Sequence, residues 1–406
     1  DRSPSRGLGD VYKRQTAPVP DVWASRVITF LSNLEGKAGS GEWRELRGLL
    51  HRHFLAGDAV ARRRAELRSR FGAELGDLAR GDLEERLELL ADQTVTNKLV
   101  AKGLFYVAFG VWLADADADI ILGWRRHQVL FMMPRMFHRL VFNVGIKKIK
   151  RMRREQAELF DRHPQLKQLF VEINGELSQA FQRGSGVELM DELMCAPFPP
   201  LARPPMPARQ PAARPRHRRY ALGWFGITAT CLGVESIGRV FNEPPGLGSI
   251  NLIQFGRDMA TPASRVDLYI EDKERFIREL WRLDPPITSA TTVMQRDEEI
   301  AWPRLFGCIG SGARLVQPGT ARQYVIGMAN RDVTIFKDPK LFNPRRPELN
   351  LALTWNGCFG KHAQTEADAQ MDEAAYRRIC PGRYISLDVA RAIIDAVLGL
   401  DEPAEP

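Results

Sequence analysis

Cysteine is scarce in this chain. Its 406 residues hold five, at Cys195, Cys231, Cys308, Cys358 and Cys380, and no two form a CxxC pair. A scattered set of this size excludes a disulfide scaffold. Long apolar runs are lacking too, and none reaches the roughly 18 residues that a membrane span needs. The best candidate, around Leu104 to Leu113, is short and flanked by Lys102 and Asp115, so it reads as a buried helix. No internal repeat is present. What remains is ordinary globular composition, 44% hydrophobic and 27% charged, which excludes disorder, collagen and coiled coil for the chain as a whole. The length allows one large domain or two to three smaller ones.

The formal net charge is +8, which at first suggests an acidic partner. The excess sits in two segments. Residues 1–15 carry Arg2, Arg6, Lys13 and Arg14 against Asp1 and Asp10. Residues 196–219 carry Arg203, Arg209, Arg214, Arg216, Arg218 and Arg219 with no acid. Without them the chain is neutral, and nucleic acid is not favoured as a partner. Both segments look foreign. The opening stretch has no periodicity and no signal-peptide pattern. It resembles translated adapter sequence, so residues 1–15 are expected to be a non-native extension of an environmental, bacterial gene. Within 196–219, 19 of 24 residues are Pro, Ala or Arg, and eight prolines exclude helix and strand interior. The segment is either an exposed linker or a GC-rich stretch read out of frame.

The pattern from Trp43 to about Arg183 is mostly helical. Val60 to Leu75 is rich in helix formers. Leu83 to Leu113 and Lys147 to Phe170 read as further helical blocks. The run from Lys147 to Arg154 reads as a solvated helix face, with docking of an acidic protein as the sharper alternative. His51 and His53 are two apart and do not share a helix face, which disfavours a metal pair. Gly307 to Gly312 is glycine-rich without a strand–helix phosphate context and reads as a turn. Glu274 to Leu283 is a short helix stopped by Pro285 and Pro286. Residues 313–336 carry short strand-like runs such as Tyr324-Val325-Ile326. Residues 337–379 read as mostly irregular, and a closing helix runs from Arg383 to Leu398. The fold class is mainly α with a minor β part.

Four motifs carry chemistry. Glu279 and Arg282 are three apart on a helix, so carboxylate and guanidinium can pair; if buried, the pair needs good geometry and further partners. Ala329-Asn330-Arg331-Asp332 then leads through Phe336 to Asp338-Pro339-Lys340-Leu341-Phe342-Asn343-Pro344-Arg345-Arg346. Its prolines fix an extended, meandering backbone, and a long irregular ordered segment is usually functional. Arg378-Ile379-Cys380-Pro381-Gly382-Arg383 opens the last helix. A cysteine there sits near the positive end of the helix dipole, which favours thiolate, and thiolate is a strong axial ligand for ferric haem. Trp43 and Arg47, four apart, offer only donors and suit an anionic carboxylate.

In this order the four motifs resemble the cytochrome P-450 family of haem-thiolate enzymes, from about residue 22 to the end. The resemblance implies one large haem-enclosing domain over 16–406, incomplete at its N-terminus. It implies haem b, with Cys380 as the proximal thiolate and metal ligand, and with Trp43, Arg47 and Arg378 on the propionates. Glu279 and Arg282 would pair with Arg346 and lock the loop that presents Cys380. The implied reaction is monooxygenation: O2 is activated with two electrons from a ferredoxin- or flavoprotein-type donor. One oxygen atom enters an apolar small-molecule substrate and the other leaves as water. A cytoplasmic location with no transmembrane segment follows.

The chain departs from the family pattern in three places. The Phe and Gly expected just before the ligand cysteine are replaced by Glu373 and Tyr376, and Phe359-Gly360 lies about 20 residues upstream. The lengthened loop is similar to the allene oxide synthase-like branch, which rearranges fatty-acid hydroperoxides without O2 or reductant. The oxygen-activating helix should carry an acid before a threonine. The nearest match is Gly226-Ile227-Thr228-Ala229-Thr230, with Thr230 as the candidate proton relay and no acid. Only about 25 plausible residues precede Trp43. A haem-binding fragment without turnover is therefore the third expectation.

Overall fold

Helix α1 (Asp58–Leu75) in this computed structural model forms where arginine, alanine, leucine and glutamate dominate. It buries Val60, Leu67, Phe71 and Leu75, a stripe at spacings of seven, four and four. The structure describes residues 52–55, 57–76, 92–125, 262–285, 289–293, 297–302, 312–317, 321–354, 357–358 and 382–400, with separate positions in 81–89 and 151–176. Residues 1–15 and 196–219, both singled out above, lie outside them.

Helix α2 (Gln93–Phe109) starts at Asp92, whose side chain accepts from the N–H groups of Thr94 and Val95. It stops at Gly110, which takes the left-handed conformation at φ 72°. The single block expected over Leu83 to Leu113 is thus interrupted: Asp92 is an extended cap, and Val111 to Ala114 is non-helical before α3 (Asp115–Arg125). The flanking charges read as ends of an apolar run in fact meet. Lys102, almost wholly buried, donates to Asp115 at 2.5 Å and to Glu74. Burial disfavours the Lys102 charge, but hydrogen bonds to the two carboxylates outweigh it and hold the ammonium pKa above its ordinary value.

Helices α4 (Pro262–Glu271) and α5 (Lys273–Leu283) follow, the second capped by Asp272, whose side chain accepts from Arg275 N–H. The described strands form three antiparallel pairs: β1 (Ser289–Val293) with β4 (Ala321–Val325), β2 (Glu298–Trp302) with β3 (Gly312–Val316), and β5 (Leu353–Thr354) with β6 (Gly357–Cys358). The strand reading of 313–336 holds only to Val325. Ile326 opens a single helical turn, α6 (Ile326–Ala329), and turns follow. The last helix, α7 (Arg383–Leu398), buries twelve of its side chains. It packs against α1, α2 and α5. One apolar cluster, including Leu67, Phe71, Val100, Trp281, Ile393 and Val397, joins these helices. Tyr269 of α4 ties into it by donating to Asp395 of α7 at 2.9 Å, and Lys273 donates to the same carboxylate. Burial, reinforced by Asp395, pushes the Tyr269 hydroxyl well above its ordinary pKa.

No described helix is long and apolar enough to cross a membrane.

Candidate functional site

Helix α5 is buried on nearly every side from Phe276 to Leu283, and three of those positions, Arg278, Glu279 and Arg282, are charged. Glu279 and Arg282 are both 0% exposed. A buried carboxylate is tolerated only when its lone pairs are occupied. Here they are filled. Glu279 Oε2 accepts from Arg282 Nε at 2.7 Å, and Oε1 accepts from Arg282 Nη2 at 2.9 Å. The same Oε1 accepts from Arg346 Nε at 3.0 Å and from the backbone N–H of Asn343 at 2.9 Å. The i, i+3 spacing on α5 makes the bidentate fork possible.

The guanidinium groups are satisfied by backbone. Arg282 Nη1 donates to the carbonyls of Asn330 at 2.6 Å and Pro339 at 2.9 Å, and Nη2 donates to Leu341 at 3.3 Å. With the two bonds to Glu279, all five N–H groups of Arg282 have acceptors. Arg346 reaches the Lys337 carbonyl at 2.9 Å and the Leu341 carbonyl at 2.8 Å. The ring of Phe336 lies 5.2 Å from the Arg282 guanidinium and 6.0 Å from that of Arg346. Two cations face one carboxylate. The excess positive charge is held by inward-turned peptide dipoles of the meander, so residues 337–346 are ordered without belonging to a sheet.

Arg275 had not been singled out by the sequence. It donates through Nε to the Pro344 carbonyl at 2.9 Å and through Nη2 to the Arg346 carbonyl at 2.5 Å. The signal was available: Arg275, Glu279 and Arg282 recur at spacings of four and three, one face of one helix. Arg331 donates to the Leu283 carbonyl at 2.6 Å and so binds the C-terminal end of α5. Arg278, on the same helix, is buried beside Glu274. Burial lowers its pKa from the ordinary arginine value, partly offset by Glu274.

The structure therefore brings Glu279, Arg282 and Arg346 together. Trp43, Arg47, Thr230, Arg378 and Cys380 lie outside the described residues. Among the described residues no cluster of His, Cys, Asp and Glu could hold a metal ion. His53, the described member of the early histidine pair, contacts Glu176 Oε1 at 2.9 Å. Glu172 and Gln168 line an open groove of mixed character with Arg63, Arg70, Tyr106 and Phe109.

One observation tests the fit of a thiolate-bound haem. Gly382 is the N-cap of α7, and among the described residues no side chain caps that helix. As a glycine it offers no capping oxygen of its own at the positive end of the helix dipole, and Cys380 precedes it by two residues. This donor chemistry fits an anionic sulfur at the start of a buried helix.

No protein-family model and no curated protein matches the chain. Solved structures do. An epothilone B-bound cytochrome P450epoK superposes with a TM-score of 0.50 at 14% identity, over 96% of this chain and 81% of that one. P450BioI, in complex with acyl carrier protein ligated to hexadec-9Z-enoic acid, gives 0.51 at 13% identity, over 97% and 84%. The chain has the cytochrome P450 fold. In that fold the described part is mostly helical with short strand pairs, as the sequence led one to expect.

Proposed function

We propose that this chain is a haem-thiolate oxidoreductase of the cytochrome P450 family, a monooxygenase acting on an apolar small molecule. The observation that carries the reading is the buried Glu279–Arg282–Arg346 cluster clamping the meander, in a chain of cytochrome P450 fold whose last helix is preceded by Cys380-Pro381-Gly382. Bound haem b would supply the iron chemistry and the O2 site.

The chain's own residues would do the rest. Cys380, favoured as thiolate by the α7 dipole, is the proposed iron ligand. Trp43, Arg47 and Arg378 are donors only and would neutralise the propionates. Glu279, Arg282 and Arg346 fix the meander and touch no reacting atom, so their role is positioning. Thr230 is the proposed hydroxyl that holds a proton near O2. Epothilone B and hexadec-9Z-enoic acid, the ligands named for the two neighbours, agree with an apolar substrate here. A ferredoxin or flavoprotein in the cytoplasm would be the electron donor.

A second reading has one specific observation behind it. Strand β6 ends at Cys358, 22 residues before Cys380, and a lengthened approach to the cysteine is similar to the hydroperoxide-rearranging branch. A reduced-CO difference spectrum of the haem-loaded chain tests both: a thiolate-type band is expected, and folded, haem-loaded protein without it overturns them together. Substrate oxidation that strictly requires NAD(P)H and a reductase supports the monooxygenase. Turnover of a fatty-acid hydroperoxide without any reductant overturns that assignment in favour of the isomerase.

A further inference from the structure

We propose that Asn330 is a positioning residue for haem ligation. It clasps the two ends of the meander together and ties them to Arg282, so that the strand leading toward Cys380 keeps a fixed place against α5. This assignment rests on the haem-thiolate reading above.

Asn330 is 0% exposed. Both ends of its amide bind one residue: Nδ2 donates to the Leu353 carbonyl at 2.9 Å, and the Leu353 N–H donates to Oδ1 at 2.7 Å. The amide orientation is fixed by the partners, because a backbone N–H can only donate and a carbonyl can only accept. The side chain thereby offers Leu353 what a neighbouring strand would offer, on a residue whose partner across the ladder is Cys358. The backbone of Asn330 is occupied as well. Its carbonyl accepts from Arg282 Nη1 at 2.6 Å, and its N–H donates to the Ile326 carbonyl at 2.9 Å. One residue therefore joins the C-terminal end of α6, the ion cluster of α5 and the strand β5.

The geometry bears on Cys380 through chain connectivity. Cys380 lies in sequence between β6 and α7, and α5 packs against both β5 and α7. The α7 side is fixed by its own apolar packing. The β5 side has two residues of ladder, and Asn330 is the side chain that anchors it to α5. Few replacements meet the requirement. Alanine leaves both Leu353 groups unmade. Aspartate keeps the acceptor but sets a carboxylate oxygen against the Leu353 carbonyl, a contact relieved only when the carboxyl is protonated and can donate.

The test uses the full-length, haem-loaded chain and compares wild type with Asn330→Asp, Asn330→Ala and a core control, Leu67→Ala. Unfolding midpoint and the reduced-CO spectrum are followed against pH. Asn330→Asp should lose about half or more of the thiolate-type band near pH 8 and regain much of it near pH 6, as the buried carboxyl protonates. Asn330→Ala should lose the band to a similar extent with no recovery. Leu67→Ala should lower the midpoint and leave the band unchanged. Should Asn330→Asp not fold, the comparison of Asn330→Ala with Leu67→Ala decides. Asn330 variants that keep the wild-type band, or a core control that loses it equally, overturn the assignment alone. A folded, haem-loaded wild-type chain with no thiolate-type band overturns the haem-thiolate reading, and this assignment falls with it.

Discussion

Two regions of this molecule are ordered by opposite means. Between α1, α2 and α7 the contacts are apolar: Leu67, Phe71, Val100, Ile393 and Val397 are fully buried and mutually packed. Around α5 and the meander the interior is polar, and Glu279, Arg282, Arg346 and Asn330 are as inaccessible as the leucines. Apolar packing is non-directional and scales with area. The polar cluster is directional and fails when one member is lost, because the remaining charges stay buried. The helical core provides stability, and the clamp provides the path of a segment that has almost no secondary structure of its own.

Variants can break this contrast at either end. Glu279→Ala should have the largest effect, about 3–5 kcal/mol, because it leaves two buried guanidinium groups without an anion. Denaturant unfolding should read that loss, and the reduced-CO spectrum should lose its thiolate-type band. Leu67→Ala should cost about 3 kcal/mol by loss of buried area and cavity formation. Haem-loaded protein should keep its spectrum, and a spectral change there would abolish the distinction between the regions. Gly103→Ala sharpens it on the packing side. A Cβ there would lie 2.6 Å from Phe71 Cζ and 3.3 Å from Val389 Cγ1. Phe71 is fully buried and cannot retreat. Overpacking should outweigh the helix preference for alanine and leave a net loss of about 1 kcal/mol.

The smallest effect is expected at Lys102→Met. The Glu74 and Asp115 side chains stay in reach of water, at 30% and 65% exposure, so the neutral-pH change should stay below about 1 kcal/mol. Its pH dependence is the informative part. The hydrogen bond from Lys102 holds the Asp115 carboxyl below its ordinary pKa. That stabilisation is present above the unfolded aspartate value of about 3.9 and is lost as pH falls through the lower folded value. Lys102 is shifted upward. Its contribution is present below the unfolded lysine value of about 10.4 and is lost as pH rises through the higher folded one. Urea midpoints of wild type and Lys102→Met should therefore differ most between these limits and converge outside them.

The two regions also differed in how far the sequence exposed them. Helix α7 was legible close to its observed bounds, because Gly382 and Gly399 bracket a mostly apolar stretch of helical spacing. Helix α5 was legible from the paired prolines that follow it, and the Glu279–Arg282 pair from its spacing. The break at Asp92 was hidden, because a capping aspartate inside a polar stretch resembles an ordinary surface residue. Helix α3 fell within the stretch read as mostly helical but without bounds of its own, and helix α4 and the strands β1 and β2 are short, with no periodicity to announce them. Arg331 and Asn330 were visible as a tetrapeptide with Ala329 and Asp332, but not as binders of Leu283 and Leu353. A contact across 23 or 48 positions leaves no local pattern to detect.

Arginine side chains, with their fixed reach, measure out the meander: the carbonyls of Lys337, Pro339 and Leu341 each meet a guanidinium at a set station along the chain. Surface connections ordinarily accept an added or missing residue with little complaint. Here one such change between 337 and 346 would carry every later carbonyl past its cation. This stretch behaves like a ruler, and its length is under as much constraint as its composition.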